Sequence, residues 1–346
     1  MHAMNDHAPV GFCQVGEIGK VMRFIRDHWS PRHILALSEQ LMHFQHYCPI
    51  KKQYNFVIAR RTDGELDSIL GFIPASKFDS SLASSDTLWL SLWKTRDDAS
   101  NRSVGLNLLR FLEQSIGHAV IGTLGVSETA SAIYRALRFE TGTLSHYYLV
   151  DPERKHFEIA VNPQQKLQTC NQSQYRLTEL SANELPRVTL VASSPSAKTP
   201  VYLYSKYGHH PHYKYRFLHC KETNLILVLR DVVVGSARAI RIVDAAGSIE
   251  TIPNVRSALL KHIRERNAEY ADMLISESKG KHLLEADFAL LDMQDNEAIV
   301  PNYFEPFVRS NSPIRYALKV KYGAVPVLFK GDADQDRPAQ IVGVNA

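Results

Sequence analysis

Residues 88–142 read LWLSLWKTRDDASNRSVGLNLLRFLEQSIGHAVIGTLGVSETASAIYRALRFETG, and the changes of pattern within them decide the fold. Leu88-Trp-Leu-Ser-Leu-Trp93 is short, apolar and aromatic, as a buried strand is. After a polar loop, Val104, Leu106, Leu108, Leu109, Phe111 and Leu112 recur at near-helical spacing, which predicts a helix beginning around Ser103. Residues 120–126 form a second apolar run, followed by a second helix carrying Tyr134 and then by Phe139. The unit is strand, loop, helix, strand, helix.

The start of the first helix has its own chemistry. The first turn of a helix presents backbone N–H groups without intrahelical partners, and the macrodipole adds positive character there. Gly105 removes a side chain where an anion such as a diphosphate would approach the backbone, and Arg102 and Lys94 can supply charge around it. Tyr134 lies one helical turn beyond Ala130, a spacing that also suits a core-facing tyrosine.

Arg102-Ser-Val-Gly105-Leu-Asn107, together with Ala130, Tyr134, Leu137 and Phe139, resembles the GNAT superfamily of acyl-CoA-dependent N-acyltransferases. Asn107 replaces a small residue, Ser127 stands where Asn is usual, and Arg138 stands where Gly is usual. The resemblance implies an acetyl-CoA (or other short acyl-CoA) site formed by Trp93, Lys94, Arg102, Ser103, Val104, Gly105, Leu106, Asn107 and Ser127. It gives Tyr134 the protonation of the departing thiolate, and it leaves Glu128 and His46 as alternative bases for the acceptor's ammonium. No metal is implied.

Outside that unit, residues 12–15 read as a strand, and residues 21–29 and 33–46 as two helices. Residues 55–60 and 68–73 form a hairpin around Thr62-Asp-Gly64-Glu, and residues 143–150 alternate as a further strand. The expected fold class is α/β, a GNAT fold of mixed sheet flanked by helices, completed within residues 1–150. Residues 151–173, with Pro152, Pro163 and a Gln/Asn-rich run, read as a connection. Residues 174–346 repeat the order of hairpin, strand, helix and strand without a second Arg-x-x-Gly loop, so they read as a degenerate second GNAT-like domain. In this half, residues 255–274 read as one amphipathic helix and residues 282–291 as a buried strand.

The two-part arrangement resembles GNAT proteins encoded with bacterial surface-polysaccharide enzymes, through Trp29 and His33, the Asn55-Phe56 strand, His210-Pro211 with Tyr213, and residues 331–338. That resemblance implies an amino-sugar acceptor, nucleotide-linked, held by Trp29, His33, His210, Tyr213, Asp334, Gln335 and Arg337. His209, His210 and His212 lack one-face metal-ligand geometry and read as an aromatic loop or a sugar platform. Asp332, Asp334 and Asp336 alternate as in a calcium loop, but no bidentate glutamate follows; they read as a solvated tail or a clamp for sugar hydroxyls. Two other readings stay open: a non-catalytic scaffold on a decayed GNAT pair, and an aminoacyl or peptide N-acyltransferase.

Composition narrows the classes. The 346 residues are 45% hydrophobic and 22% charged, with a net charge of +4 and no long block of like charge, which does not indicate a nucleic-acid surface. Cys13, Cys48, Cys170 and Cys220 are scattered, favouring a reducing compartment. No apolar run approaches a membrane span, and residues 1–7 lack a signal-peptide core, so a cytoplasmic protein is expected.

Overall fold

The computed structural model describes residues 10–99, 103–164, 175–190, 198–276, 283–284, 286–294 and 297–340. The first half runs β1 (Val10–Gln14), α1 (Ile18–His28), α2 (Ile34–Leu37), α3 (Glu39–His46), β2 (Tyr47–Cys48), β3 (Gln53–Arg60), β4 (Leu66–Pro74), β5 (Thr87–Thr95), α4 (Val104–Ser115), β6 (Val120–Leu124), α5 (Glu128–Ala136), β7 (Glu140–Thr143) and β8 (Ser145–Val150). The second runs β9 (Thr178–Leu180), α6 (Pro200–Leu203), β10 (Tyr215–Cys220), β11 (Leu225–Val234), β12 (Ala237–Gly247), α7 (Arg256–Glu265), β13 (Tyr270–Ile275), β14 (Ala289–Leu290), β15 (Tyr303–Phe304), β16 (Phe307–Val308) and β17 (Arg315–Val320).

Two mixed sheets organise these elements. The first has the order β1-β3-β4-β5-β6-β17-β7, with β2 on β3; the second has the order β14-β8-β13-β12-β11-β10-β9. One pattern is used twice. Four antiparallel neighbours lead to a parallel pair (β5 with β6, β12 with β13), and an antiparallel strand follows. In each sheet that last strand comes from the other half: β17 stands between β6 and β7, and β8 stands between β13 and β14. A division at residue 150 therefore does not coincide with the division into sheets, because β8 lies before it and β17 lies far beyond it.

The apolar pattern explains the layers. In α4, Leu108, Leu109 and Leu112 face Leu70, Leu88, Leu90 and Ile121 of the first sheet, each burial contributing roughly 1.5–3 kcal/mol. The opposite face is covered by α1 to α3, with Phe24, Ile25, Leu35, Leu41 and Met42 packed on Phe56, Ile58, Ile69 and Leu92. Ile73, Trp89, Leu124 and Leu318 of the first sheet meet Phe217, Val228, Val243 and Leu274 of the second in one shared core. The predicted helix over residues 33–46 is two helices, parted at Ser38, whose extended backbone lets its hydroxyl accept from Leu41 N at 3.1 Å.

Two expectations for the second half are corrected. The helix predicted over residues 255–274 ends at Glu265; Asn267 takes a positive φ of 49°, and Tyr270–Ile275 is a fully buried strand. Pairing with β12 on one side and β8 on the other overrides the helical spacing that Tyr270 and Leu274 share with Leu259 and Ile263. The strand predicted over residues 282–291 is only β14, and residues 277–282 and 285 lie outside the described residues.

Candidate active site

The first sheet opens where β5 and β6 part. Their parallel pairing covers only Thr87–Val120, Leu88–Ile121 and Trp89–Gly122. Just beyond, a bulge puts three steps of β5, from Leu90 to Trp93, opposite two of β4, from Phe72 to Leu70. The alternation shifts by one residue. Leu88 and Leu90 face α4, Leu92 faces the other helices, and Trp93 returns to the α4 side.

Trp93 then crosses to the start of α4. Gly105 is buried there, and a Cβ on it would come within 2.7 Å of Thr95 Oγ1 and 3.2 Å of Trp93 Nε1. The missing side chain thus makes room for β5 side chains rather than leaving an open cradle. The first-turn N–H groups of Val104, Gly105 and Leu106 have no partner within the helix, and that turn carries no acid, which suits an anion. Ser103 is the exposed N-cap, and Asn107 already donates its backbone N–H to Ser103 O at 3.1 Å. The Lys94 ammonium is held by Asp97 at 2.9 Å, and Arg102 lies outside the described residues.

The three catalytic candidates lie apart. Tyr134 is 4% exposed, its ring edge-on to Trp93 at 5.6 Å and to Phe139 at 5.1 Å. Burial raises its phenol above the usual range, so it is protonated at neutral pH and can act as an acid. Ser127 caps α5, its hydroxyl accepting from Ala130 N at 3.2 Å. Glu128 is 89% exposed, with Arg315 at 3.9 Å, and so stands in solvent. His46 is fully buried with its ring 4.5 Å from Phe56, and burial, with Lys77 adding to it, lowers its pKa to about 3. A base that weak does not suit an ammonium.

Nearly all the predicted acceptor residues converge on the other side of the parting strands. The turn Asp332–Asp334 packs on β5 and β6, and the Gln335 amide covers the positive-φ Gly125 at the end of β6. Arg337 pairs with Asp334 at 3.0 Å and lies 3.3 Å from His33. Trp29 is half exposed, 5.9 Å from His33. His210 stacks on Tyr213 at 5.5 Å and meets Phe44 edge-on. Its Nδ1 accepts from the backbone N–H groups of His212 and Tyr213, which places its hydrogen on Nε2, a buried atom without a partner among the described residues. Burial holds its pKa near 4, so the ring is neutral.

A cavity of about 20 Å³, the space open to the centre of a water molecule, lies among Gln45, Trp89, His210, Ala333 and Asp334. Gln45 and Trp89 were not singled out from sequence; Gln45 sits one residue before a histidine that draws attention first. Tyr213 is no free stacking platform, because the Arg230 guanidinium lies 3.9 Å from its ring centre and its hydroxyl donates to Glu305. His209 and His212 turn to Tyr204 and Ser38, and the three acids of the terminal segment take three different cations: Lys198, Arg337 and Arg230. Among the described residues no group of three His, Cys, Asp or Glu could hold a metal. The solvated-tail reading fails, since Lys330, Asp332, Ala333 and Asp336 are all buried.

No family model and no curated protein matches the sequence. Solved structures do match. A GCN5-related N-acetyltransferase from Kribbella flavida aligns over 92% of this chain and 72% of its own, at 10% identity and a TM-score of 0.52. One from Anabaena variabilis aligns over 90% and 72%, at 10% identity and a TM-score of 0.52. The chain has a tandem GNAT fold.

In the second GNAT-like half the equivalent gap between strands is closed among the described residues. Its strands β12 and β13 part after Ile242–Met273, as β5 and β6 do. The chain itself fills the gap. Ser276 N donates to Leu328 O at 3.0 Å, Lys330 N to Leu274 O at 3.2 Å, and Gly331 N to Val243 O at 2.8 Å, with Phe329 bridged to Ile275. The Lys198 ammonium then bridges the carboxylates of Asp244 and Asp332 beside the Phe329 ring. The segment Leu328–Asp334 thus runs from this gap to the parting of β5 and β6.

Proposed function

We propose that the chain is an acyl-CoA-dependent N-acyltransferase whose single coenzyme site is the opening between β5 and β6. One observation carries the reading: among the described residues the acid-free helix start Val104–Leu106 lies beside the parting strands, with Trp93 packed between it and the protonated Tyr134, while the equivalent gap in the second sheet is filled. Backbone N–H groups at the bulge of β5 would polarise the thioester carbonyl, and Tyr134 would protonate the leaving sulfur. The acceptor enters from the side of His210 and Asp334. Neutral imidazole, carboxylate, amide and guanidinium groups there suit the hydroxyls and phosphates of a nucleotide-linked amino sugar. We take acetyl as the acyl group, a cytoplasmic location, and a role in surface-polysaccharide synthesis as the working reading. No helix among the described residues is long and apolar enough to cross a membrane.

A non-catalytic scaffold is the second reading, favoured by the packing of Trp93 against Gly105 and Tyr134. Thermal unfolding with acetyl-CoA separates the two. Binding at a hundredfold excess over the dissociation constant stabilises by about 2.7 kcal/mol, and no shift at millimolar coenzyme rejects the transferase. Thiol release from acetyl-CoA against a panel of nucleotide-linked amino sugars then tests the acceptor class.

A further inference from the structure

We propose that Asp334 is the general base of the transfer, its carboxylate taking the proton from the acceptor's ammonium through a water in the cavity beside Trp89, whose volume of about 20 Å³ suits one water molecule. This rests on the acyltransferase reading and replaces both bases expected from sequence.

Position comes first. Trp89 is the last β5 residue paired with β6, and it lines the same cavity as Ala333 and Asp334. The turn that presents the carboxylate is held in a costly shape: Ala333 and Asp334 take positive φ of 48° and 57° in succession. Such residues cost on the order of 1–3 kcal/mol each and persist where surroundings over-determine them. Here Asp332 accepts from Phe329 N at 2.9 Å, Lys206 donates to Gly331 O at 2.8 Å, and Gln335 caps Gly125.

Charge comes second. Facing Asp334 are Arg337 and Asp336 from its own segment, Lys206 from the turn after α6, and the Gln45 amide from α3. Neutral His33 and His210 line the same region. Burial raises the carboxyl, the cations pull it back, and it settles at about 7, the strength a base working near neutrality needs. Asp336, by contrast, is held below the usual carboxylate range by Arg230, and Asp332 is taken up by Lys198 and the Phe329 N–H.

The step balances without another reactant. The ammonium passes one proton through that water to Asp334, and the free amine attacks the thioester carbonyl. The C–N bond forms, the C–S bond breaks, and the phenol of Tyr134 protonates the sulfur. The adduct nitrogen's second proton restores Tyr134 through solvent, and Asp334 releases its own.

The test uses the full chain, acetyl-CoA and the amino sugar from the panel that turns over fastest. In the wild type kcat/KM should fall about tenfold per pH unit below pH 7. Asp334→Asn should bind acetyl-CoA normally yet lose about a hundredfold at pH 7, with its acidic limb moved up to the amine's own pKa. Arg337→Gln, which keeps the carboxylate, should move the limb upward. An unchanged limb in Asp334→Asn overturns the proposal, as does a wild type that binds acetyl-CoA and acylates no amine in the panel. A wild type that binds no acetyl-CoA rejects the transferase reading itself.

Discussion

At the scale of single residues, Arg138 is the most informative departure. It occupies a position that the GNAT resemblance reserves for glycine, and the structure gives the reason: φ is 64°, in the left-handed region. The turn closes α5 with a bond from Phe139 N to Tyr134 O at 3.0 Å, which brings the Phe139 ring against Tyr134. A left-handed non-glycine residue costs roughly 1–2 kcal/mol. Arg138→Gly should therefore raise the unfolding free energy by about 1 kcal/mol in a urea titration; a lower midpoint would show that the Arg138 side chain contributes more than its backbone costs. Ala130, Tyr134, Leu137 and Phe139 were legible because they share one helix and its cap. Gln45, the pairing of Lys94 with Asp97 and the burial of Asp334 were not. Each depends on which loop folds back over a side chain, and local pattern carries no record of that.

At the scale of elements, the terminal segment is where sequence reading ran out. Pro326–Phe329 and the acids after it show no helix period, and the backbone partners of Leu328, Lys330 and Gly331 lie more than fifty residues earlier, at Ser276, Leu274 and Val243. The β12–β13 opening was legible only as a missing loop; that the chain occupies it could not be read. Gly331 tests the fit. A Cβ there would run into the Tyr207 hydroxyl and lie 2.8 Å from Val243 O. Gly331→Ala should cost about 1–3 kcal/mol, the usual range for overpacking, and because residues 331–337 continue to the cavity beside Trp89, where we propose the acceptor enters, it should also raise KM for the amine. Unchanged stability would mean that the segment sits loosely in the opening.

At the scale of the whole molecule, the exchange of β8 and β17 decides what counts as a unit. The α/β layers and the tandem of two sheets were visible in the order of elements, yet strands of like composition do not announce which sheet they join. Residues 1–150 include β8, which belongs to the second sheet, and lack β17, which fills the gap between β6 and β7. Expressed alone, they should aggregate or remain a mobile ensemble, and adding residues 151–346 during refolding should recover a monodisperse product. Well-dispersed amide resonances from residues 1–150 alone would contradict this.

The same exchange reaches back to the moment of synthesis. A nascent chain that has emerged through β7 has every strand of its first sheet but one, and the missing one ends at Val320, about 180 residues later. At roughly 5–20 residues per second that is on the order of ten to thirty seconds on the ribosome. Throughout that wait β6 and β7 present unpaired backbone edges, the kind that recruit strands from neighbouring chains. Crowding of ribosomes on one message, slow codons between β8 and β17, and access by trigger-type chaperones then become determinants of yield, though none of them touches the finished protein.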